Sequence, residues 1–118
     1  MRVYLLDRNG TLNTLADPLG YVKALQAAGH KACLYSGGSF SHEKDLFNEV
    51  ARQCDDVISK GALFNDVEER CSDWGTDLKF VAAEDDFLII GWTKQFRPLW
   101  RIVLPENLLT DLESINAE

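Results

Sequence analysis

Short apolar runs alternate with longer amphipathic stretches along this chain. Each apolar run is four to six residues long and is followed by a polar residue, a glycine or a proline, as is typical of a buried strand. Strands are predicted at residues 3–6, 31–36, 56–59, 78–83 and 100–104. The chain therefore has the strand pattern of a small protein built around one sheet.

The stretches between these runs carry apolar residues at helical spacing. The clearest one has Asp17 as an N-cap and Pro18 at the first helical position. Ser41 is predicted to cap the second helix, and Asn65, three residues before Glu68, is predicted to open the third. Helices are predicted over residues 17–29, 41–54, 65–75 and 105–115. The last helix is predicted to bury Leu108, Leu109, Leu112 and Ile115.

Residues 87–96 fit either a short helix or the return strand of a hairpin that turns at Asp85-Asp86. We favour the helix. Strands and helices then alternate throughout, which predicts an α/β fold, a three-layer Rossmann-like domain with a mainly parallel five-stranded sheet and right-handed crossovers. In such sheets, ligands bind beyond the carboxyl ends of the strands.

Polar residues directly follow or end four of the predicted strands. They are Asp7, Ser36, Ser59-Lys60 and Glu84-Asp85-Asp86. Because the carboxyl ends of parallel strands meet at one edge of a sheet, we expect these residues to converge there. Taken singly, each has an ordinary interpretation as a polar turn, a strand-end cap, a solvated lysine or a charged turn. Their convergence is what indicates a site.

The composition is that of one folded domain with an acidic surface. The 118 residues, 46% hydrophobic and 26% charged, predict a single domain over residues 1–118. Lys and Arg number 12 against 19 Asp and Glu, a formal net charge of −7. General nucleic-acid binding is therefore disfavoured, because it needs a basic field to displace counterions from phosphates.

The sequence also predicts a cytoplasmic protein. No apolar run approaches the ~20 residues needed to span a bilayer, so no membrane partner is expected. The N-terminus enters a strand directly, without the apolar region and cleavage site of a signal peptide. Cys33, Cys54 and Cys71 lie at wide spacing within apolar patterns, which favours reduced core thiols over a disulfide framework or a metal-thiolate site.

Four pieces of the sequence occur in an order that resembles a known family. They are the run Asp7-Arg8-Asn9-Gly10-Thr11-Leu12, then Ser36 with Gly37-Gly38, then Lys60, and then Asp85 with Asp86. They resemble the four motifs of the haloacid dehalogenase-like (HAD) superfamily of aspartate-nucleophile phosphatases and phosphotransferases, whose first motif is Asp-x-Asp-Gly-Thr. The likeness extends over about residues 2–104, and its first half is the more specific.

The resemblance implies a magnesium-dependent phosphoryl transfer through an aspartyl-phosphate intermediate on Asp7. Lys60 would supply a second cation, since a carboxylate and a phosphoryl group repel each other. The resemblance implies that Mg²⁺ is held by Asp7, the main-chain carbonyl of Asn9, and Asp85 or Asp86. It further implies that phosphate oxygens are held around Gly10, Thr11, Ser36 and Gly37.

One residue departs from the family pattern in a way that affects the chemistry. Asn9 stands where the family has the aspartate that protonates the leaving group and later activates water. An amide cannot do this, and losing a general acid–base group typically lowers the rate about 10²–10⁴-fold. Three interpretations stay open. The substrate has a leaving group that needs no proton, another residue such as Glu84 replaces Asn9, or the protein binds without turnover.

The chain is also too short for the cap domain that many members carry over the site. The interval before Asp17 is a short loop, and residues 37–56 are filled by one predicted helix. An open site does not exclude water by itself, so a bulky, macromolecular phosphorylated substrate, a protein partner or a second subunit is expected to cover it.

Two function classes therefore remain, a HAD-like phosphatase or phosphotransferase and a catalytically degenerate member that binds a phosphorylated ligand or a protein. A third alternative sets the resemblance aside and treats the chain as a flavodoxin-like or receiver-like module with incidental acids. Strand order distinguishes this third alternative from the other two.

Overall fold

A computed structural model of the protein describes residues 1–36, 46–59 and 63–117. Its strands are β1 (Arg2–Leu6), β2 (Lys31–Ser36), β3 (Asp56–Ser59), β4 (Lys79–Ala83) and β5 (Arg101–Val103). Its α-helices are α1 (Pro18–Ala27), α2 (Leu46–Gln53), α3 (Phe64–Arg70), α4 (Phe87–Phe96) and α5 (Leu108–Asn116). Short 3₁₀ helices lie at Leu12–Thr14, Ser72–Trp74 and Pro105–Asn107. Among the described residues, no helix has the length and apolar character needed to cross a membrane.

The five described strands form one sheet in the order β3-β2-β1-β4-β5, and every neighbouring pair is parallel. The predicted α/β fold with a parallel five-stranded sheet is confirmed. A flavodoxin-like or receiver-like sheet would have the order 2-1-3-4-5, so that alternative is wrong. The chain passes from β3 across β2 and β1 to β4, and β1 and β4 therefore become neighbours at the centre of the sheet.

Helices cover both faces of the sheet. Successive side chains of a strand point to opposite faces, so each strand contributes apolar residues to both sides. From β1, Tyr4 and Leu6 pack on one face with residues of α1, α2 and α5. Val3 and Leu5 pack on the other face, against α3. Helix α4 lies beside α3, since the Phe96 and Phe64 rings are 6.4 Å apart. Cys33 and Cys71 are buried, Cys54 is half-buried, and all three thiols are free.

Helices α1 and α4 each begin directly after a residue that caps them. Asp17 accepts a hydrogen bond from the Gly20 N–H at 2.9 Å, and Pro18 opens α1 as predicted. Residues 87–96 form a helix, which confirms the favoured interpretation over the hairpin. Asp86 caps this helix by accepting from the Leu88 N–H at 2.9 Å. The predicted Ser41 cap lies outside the described residues.

Two details of the helix predictions are wrong. Helix α3 begins at Phe64, and Asn65 lies inside its first turn instead of capping it. The reason is tertiary, because the Arg97 guanidinium donates to the Asn65 side chain and pairs with Glu68. In α5, Leu109 is exposed, whereas Leu108 and Ile115 are buried and Leu112 packs against the core.

Two core tyrosines differ in their hydrogen bonding. The Tyr4 hydroxyl donates to Asp111 Oδ2 at 2.9 Å, and Asp111 also pairs with Arg101. The Tyr21 hydroxyl is buried and forms no hydrogen bond within the described part of the chain. Burial raises the pKa of Tyr21 to about 12, with the positive charge of Arg101 opposing the shift.

We therefore expect Tyr4→Phe and Tyr21→Phe to have opposite effects on stability. Tyr4→Phe takes a hydrogen bond from a buried carboxylate, and should lower the free energy of unfolding by about 1–3 kcal/mol. Tyr21→Phe removes a buried hydroxyl that pairs with no described group, so stability should be unchanged or rise by up to about 1 kcal/mol. Urea unfolding of both variants measures this, and equal losses in the two would contradict the assignment.

Candidate functional site

The candidate site lies at the point where the chain reverses its direction of travel across the sheet. From β1 the chain continues to β2 on one side, while β4 lies on the other side. The carboxyl ends of two such strands form the crevice in which α/β proteins bind ligands. Asp7 follows β1 directly, and its N–H donates to the Ala83 carbonyl at 3.0 Å. Glu84 follows β4, and its N–H donates to the Val103 carbonyl at 3.2 Å.

Three carboxylates converge at this edge. Asp7, Glu84 and Asp85 each place one oxygen within 4.8 Å of the others. Asp7 and Glu84 are buried, and Asp85 is exposed at the rim. Thr11 connects two of them, since its hydroxyl oxygen lies 3.1 Å from Asp7 Oδ2 and 3.3 Å from Asp85 Oδ1. The structure thus brings together two separate motifs of the sequence, the first and the fourth.

The carboxylates interact strongly with one another. Burial raises the pKa of Asp85, but hydrogen bonds to Asp7, to the Asp85 backbone, to Thr11 and to Glu84 outweigh burial and hold the pKa below its ordinary value. Three carboxylates this close concentrate negative charge, which a cation bound among them would offset.

Gly10 makes room for this arrangement. Its φ angle is +75°, a conformation that L side chains rarely adopt. A Cβ added there would lie 2.1 Å from Asp85 Oδ2. Only glycine therefore permits both the turn after β1 and the observed position of the Asp85 carboxylate.

The loop that carries the first motif is closed by its own hydrogen bonds. The Gly10 N–H donates to Asn13 Oδ1 at 2.8 Å, and the Leu12 N–H donates to the Asp7 carbonyl at 3.0 Å. The resemblance assigns the Gly10 N–H to a phosphate oxygen. In this structure that N–H is directed to Asn13, so phosphate binding there requires the Asn13 side chain to move.

The remaining predicted site residues are placed as follows. Asn9 is exposed next to Gly10. Asp86 is directed to the Leu88 N–H as the cap of α4, and Glu84 takes its place among the clustered carboxylates. Ser36 ends β2 in register with Ser59 at the end of β3. The Ser36 side chain, Gly37 and Lys60 lie outside the described part of the structure.

Sequence reasoning missed two features of the site. The sequence places Glu84 among the converging residues but indicates no metal-binding role for it. Glu84 is the buried member of the acidic run, and its Oε1 accepts from the Asp85 and Asp86 N–H groups at 3.2 Å each. Arg8 is buried as well, which is rare for an arginine. The turn-like sequence around Arg8 carries no signal of this burial, whereas the position of Glu84 directly after β4 is such a signal for Glu84.

The donor set fits a hard divalent cation. All three clustered side chains offer oxygen, which Mg²⁺ prefers, and the exposed Asp85 leaves room for the waters that this ion retains. The resemblance implies Asp7, the Asn9 main-chain carbonyl and either Asp85 or Asp86 as ligands. Asp7 and Asp85 lie in this cluster, and Glu84 is an additional candidate ligand.

Comparisons of this chain with protein-family models, with curated proteins and with solved structures found no match. The fold and the site define an α/β protein with a carboxylate cluster at the switch point of its sheet. The resemblance to the HAD superfamily rests on the sequence motifs alone.

Proposed function

We propose that the protein is a magnesium-dependent, HAD-like phosphoryl-transfer protein whose nucleophile is Asp7. The observation that carries the proposal is the convergence of Asp7 with Glu84 and Asp85 at the switch point between β1 and β4. The first motif and the acidic run after β4 meet there, although they lie more than 70 residues apart in the sequence. Their order along the chain is the one that the family resemblance implies.

Each residue of the cluster has a distinct part in this proposal. The hydrogen bond from Thr11 orients the Asp7 carboxylate, and Gly10 leaves space for Asp85 beside it. Glu84 and Asp85 would hold Mg²⁺ together with Asp7. When bound, the ion would offset the repulsion between the carboxylate and the phosphoryl group.

The lack of an acid at position 9 narrows the substrate class. Asn9 donates no proton, so the best leaving group is one that departs as a stable anion, as from an acyl phosphate or a mixed anhydride. Glu84 is a poor substitute, because its Oε1 already accepts two backbone hydrogen bonds. Only residues 7–17 separate β1 from α1, which supports an open site suited to a bulky phosphorylated substrate or to a partner that covers it.

A steady-state assay tests the proposal. Acetyl phosphate and an activated aryl phosphate are incubated with the protein, with and without Mg²⁺, alongside the variants Asp7→Asn and Asp77→Asn. Asp77 is an exposed aspartate just before β4, at the opposite edge of the sheet, so it controls for the loss of one charge. We expect hydrolysis of acetyl phosphate that requires both Mg²⁺ and Asp7 and is unaffected by Asp77→Asn. Hydrolysis that survives Asp7→Asn would refute the assignment.

A second candidate function is binding without turnover. It is favoured by the first-motif loop, where Asn9 replaces an acid and the Gly10 N–H is held by Asn13. In this case Mg²⁺ and a phosphorylated ligand or protein would bind at the cluster, and neither phosphate would be hydrolysed. Calorimetric titration with Mg²⁺ separates the two candidates from an inert cluster, because both require the metal.

We also propose a cytoplasmic location. The three free thiols of the described structure suit a reducing compartment. The acidic charge and the lack of a basic field continue to disfavour nucleic acid as a partner.

A further inference from the structure

Helix α4 presents an apolar face to solvent. Four large side chains of this helix, here called the α4 face, are between 54% and 83% exposed: Phe87, Leu88, Trp92 and Phe96. The residues that α4 buries are Ile90 and Thr93, on the other side of the helix. A surface helix normally carries polar residues opposite its buried side. The folding of one copy therefore does not account for the α4 face.

Gly91 lies in the middle of this face and has no role in the packing of one copy. Helical spacing places it four residues after Phe87 and three after Leu88, so it adjoins these two side chains on the helix surface. A glycine inside a helix lowers stability by roughly 0.5–1 kcal/mol relative to alanine. An added Cβ would meet no described atom within 4 Å. The missing side chain leaves a notch beside Phe87 and Leu88, where another helix can approach closely.

We propose that the α4 face is the interface of a homodimer. In a two-fold symmetric dimer, each copy contributes the same surface. Two antiparallel α4 helices can cross at the Gly91 notch, where the missing side chain lets the two backbones approach closely. The four exposed side chains are uncharged, so they add no like charges to a contact between two copies that each carry a net charge of −7.

The apolar area of the α4 face agrees with that of one side of a homodimer interface. Taking about 150–250 Å² for a whole side chain of this kind, the exposed parts of the four residues amount to roughly 500 Å² of apolar area. An interface of standard size buries about 800 Å² on each partner, and about 65% of a homodimer interface is apolar. The face thus supplies the apolar area that one side of such an interface needs.

Sedimentation velocity over protein concentrations from about 1 µM to about 1 mM tests the dimer. Gly91→Gln fills the notch, and Trp92→Gln removes the indole. We expect the unmodified protein to dimerise and each variant to raise the dissociation constant at least about tenfold. Gly91→Gln should leave the thermal stability of the monomer unchanged or higher, because glutamine forms helices better than glycine.

Leu109→Gln is the matched control, since Leu109 is an exposed leucine of α5, on the opposite face of the sheet. It should leave association unchanged. The proposal is overturned if the unmodified protein stays monomeric over the whole range, if neither α4 variant weakens association, or if Leu109→Gln weakens it equally. These outcomes are independent of the activity assays, because the α4 variants leave the carboxylate cluster intact.

Discussion

Asn9→Asp is expected to raise the Mg²⁺-dependent hydrolysis of an alkyl phosphate by about 10²–10⁴-fold. The exchange replaces an exposed amide by a carboxyl group of the same size, two residues after Asp7, the proposed nucleophile. That carboxyl group can protonate an alkoxide leaving group and then take a proton from the attacking water. With acetyl phosphate, whose leaving group departs without a proton, the gain should come only from faster attack of water on the aspartyl phosphate and not from faster formation of that intermediate.

Asn13→Asp is the control for this experiment. It makes the same chemical change in the same loop, and the new carboxylate can still accept the hydrogen bond from the Gly10 N–H. Initial rates with both substrates should rise only in Asn9→Asp. An Asn9→Asp protein that binds Mg²⁺ but gains no activity on the alkyl phosphate would contradict the assigned geometry of Asp7 and residue 9.

Gly10→Ala is expected to abolish Mg²⁺ binding and any activity that depends on Asp7. Two effects combine at this position. The positive φ angle disfavours a side chain by about 1–2 kcal/mol. In addition, the Cβ would overlap Asp85 Oδ2, so the Asp85 carboxylate must move from its observed position. Calorimetric titration with Mg²⁺ and thermal unfolding measure the two effects separately.

Gly29→Ala isolates the conformational part of this effect. Gly29 also has a positive φ angle, +90°, but an added Cβ there would meet no described atom within 4 Å. We expect Gly29→Ala to lower stability to a similar extent and to leave Mg²⁺ binding intact. Equal retention of Mg²⁺ binding in both variants would show that Asp85 is not part of the metal site.

The elements of this fold could be predicted because each depends on local sequence. Apolar runs marked the five strands, and the Asp17-Pro18 pair marked the start of α1. The boundary of α3 was mispredicted, since Asn65 and Glu68 form contacts with Arg97, a residue about 30 positions away that the local pattern does not reveal. Strand order could not be predicted from the local sequence either, because the spacing of apolar residues does not show which strand lies next to β1.

The candidate site was predictable to the level of its strands but not of its side chains. The rule that ligands bind beyond the carboxyl ends of strands led to Asp7 and to the acidic run after β4. Within that run, three consecutive acids look alike in the sequence. In the structure, the Glu84 and Asp85 carboxylates lie in the cluster, whereas the Asp86 side chain caps α4. The need for glycine at position 10 could not be predicted from the sequence either, because it depends on the position of the Asp85 side chain.

Trapping a phosphoryl group on Asp7 tests the proposed nucleophile directly. Because Asn9 cannot activate water, an aspartyl phosphate formed from acetyl phosphate should persist long enough to be detected. The protein is incubated with acetyl phosphate, with or without Mg²⁺, quenched in acid and mapped by peptide mass spectrometry. We predict a phosphoryl group on Asp7 that requires Mg²⁺ and is depleted in Asn9→Asp. An unmodified Asp7, together with unchanged acetyl phosphate, would contradict the proposed nucleophile.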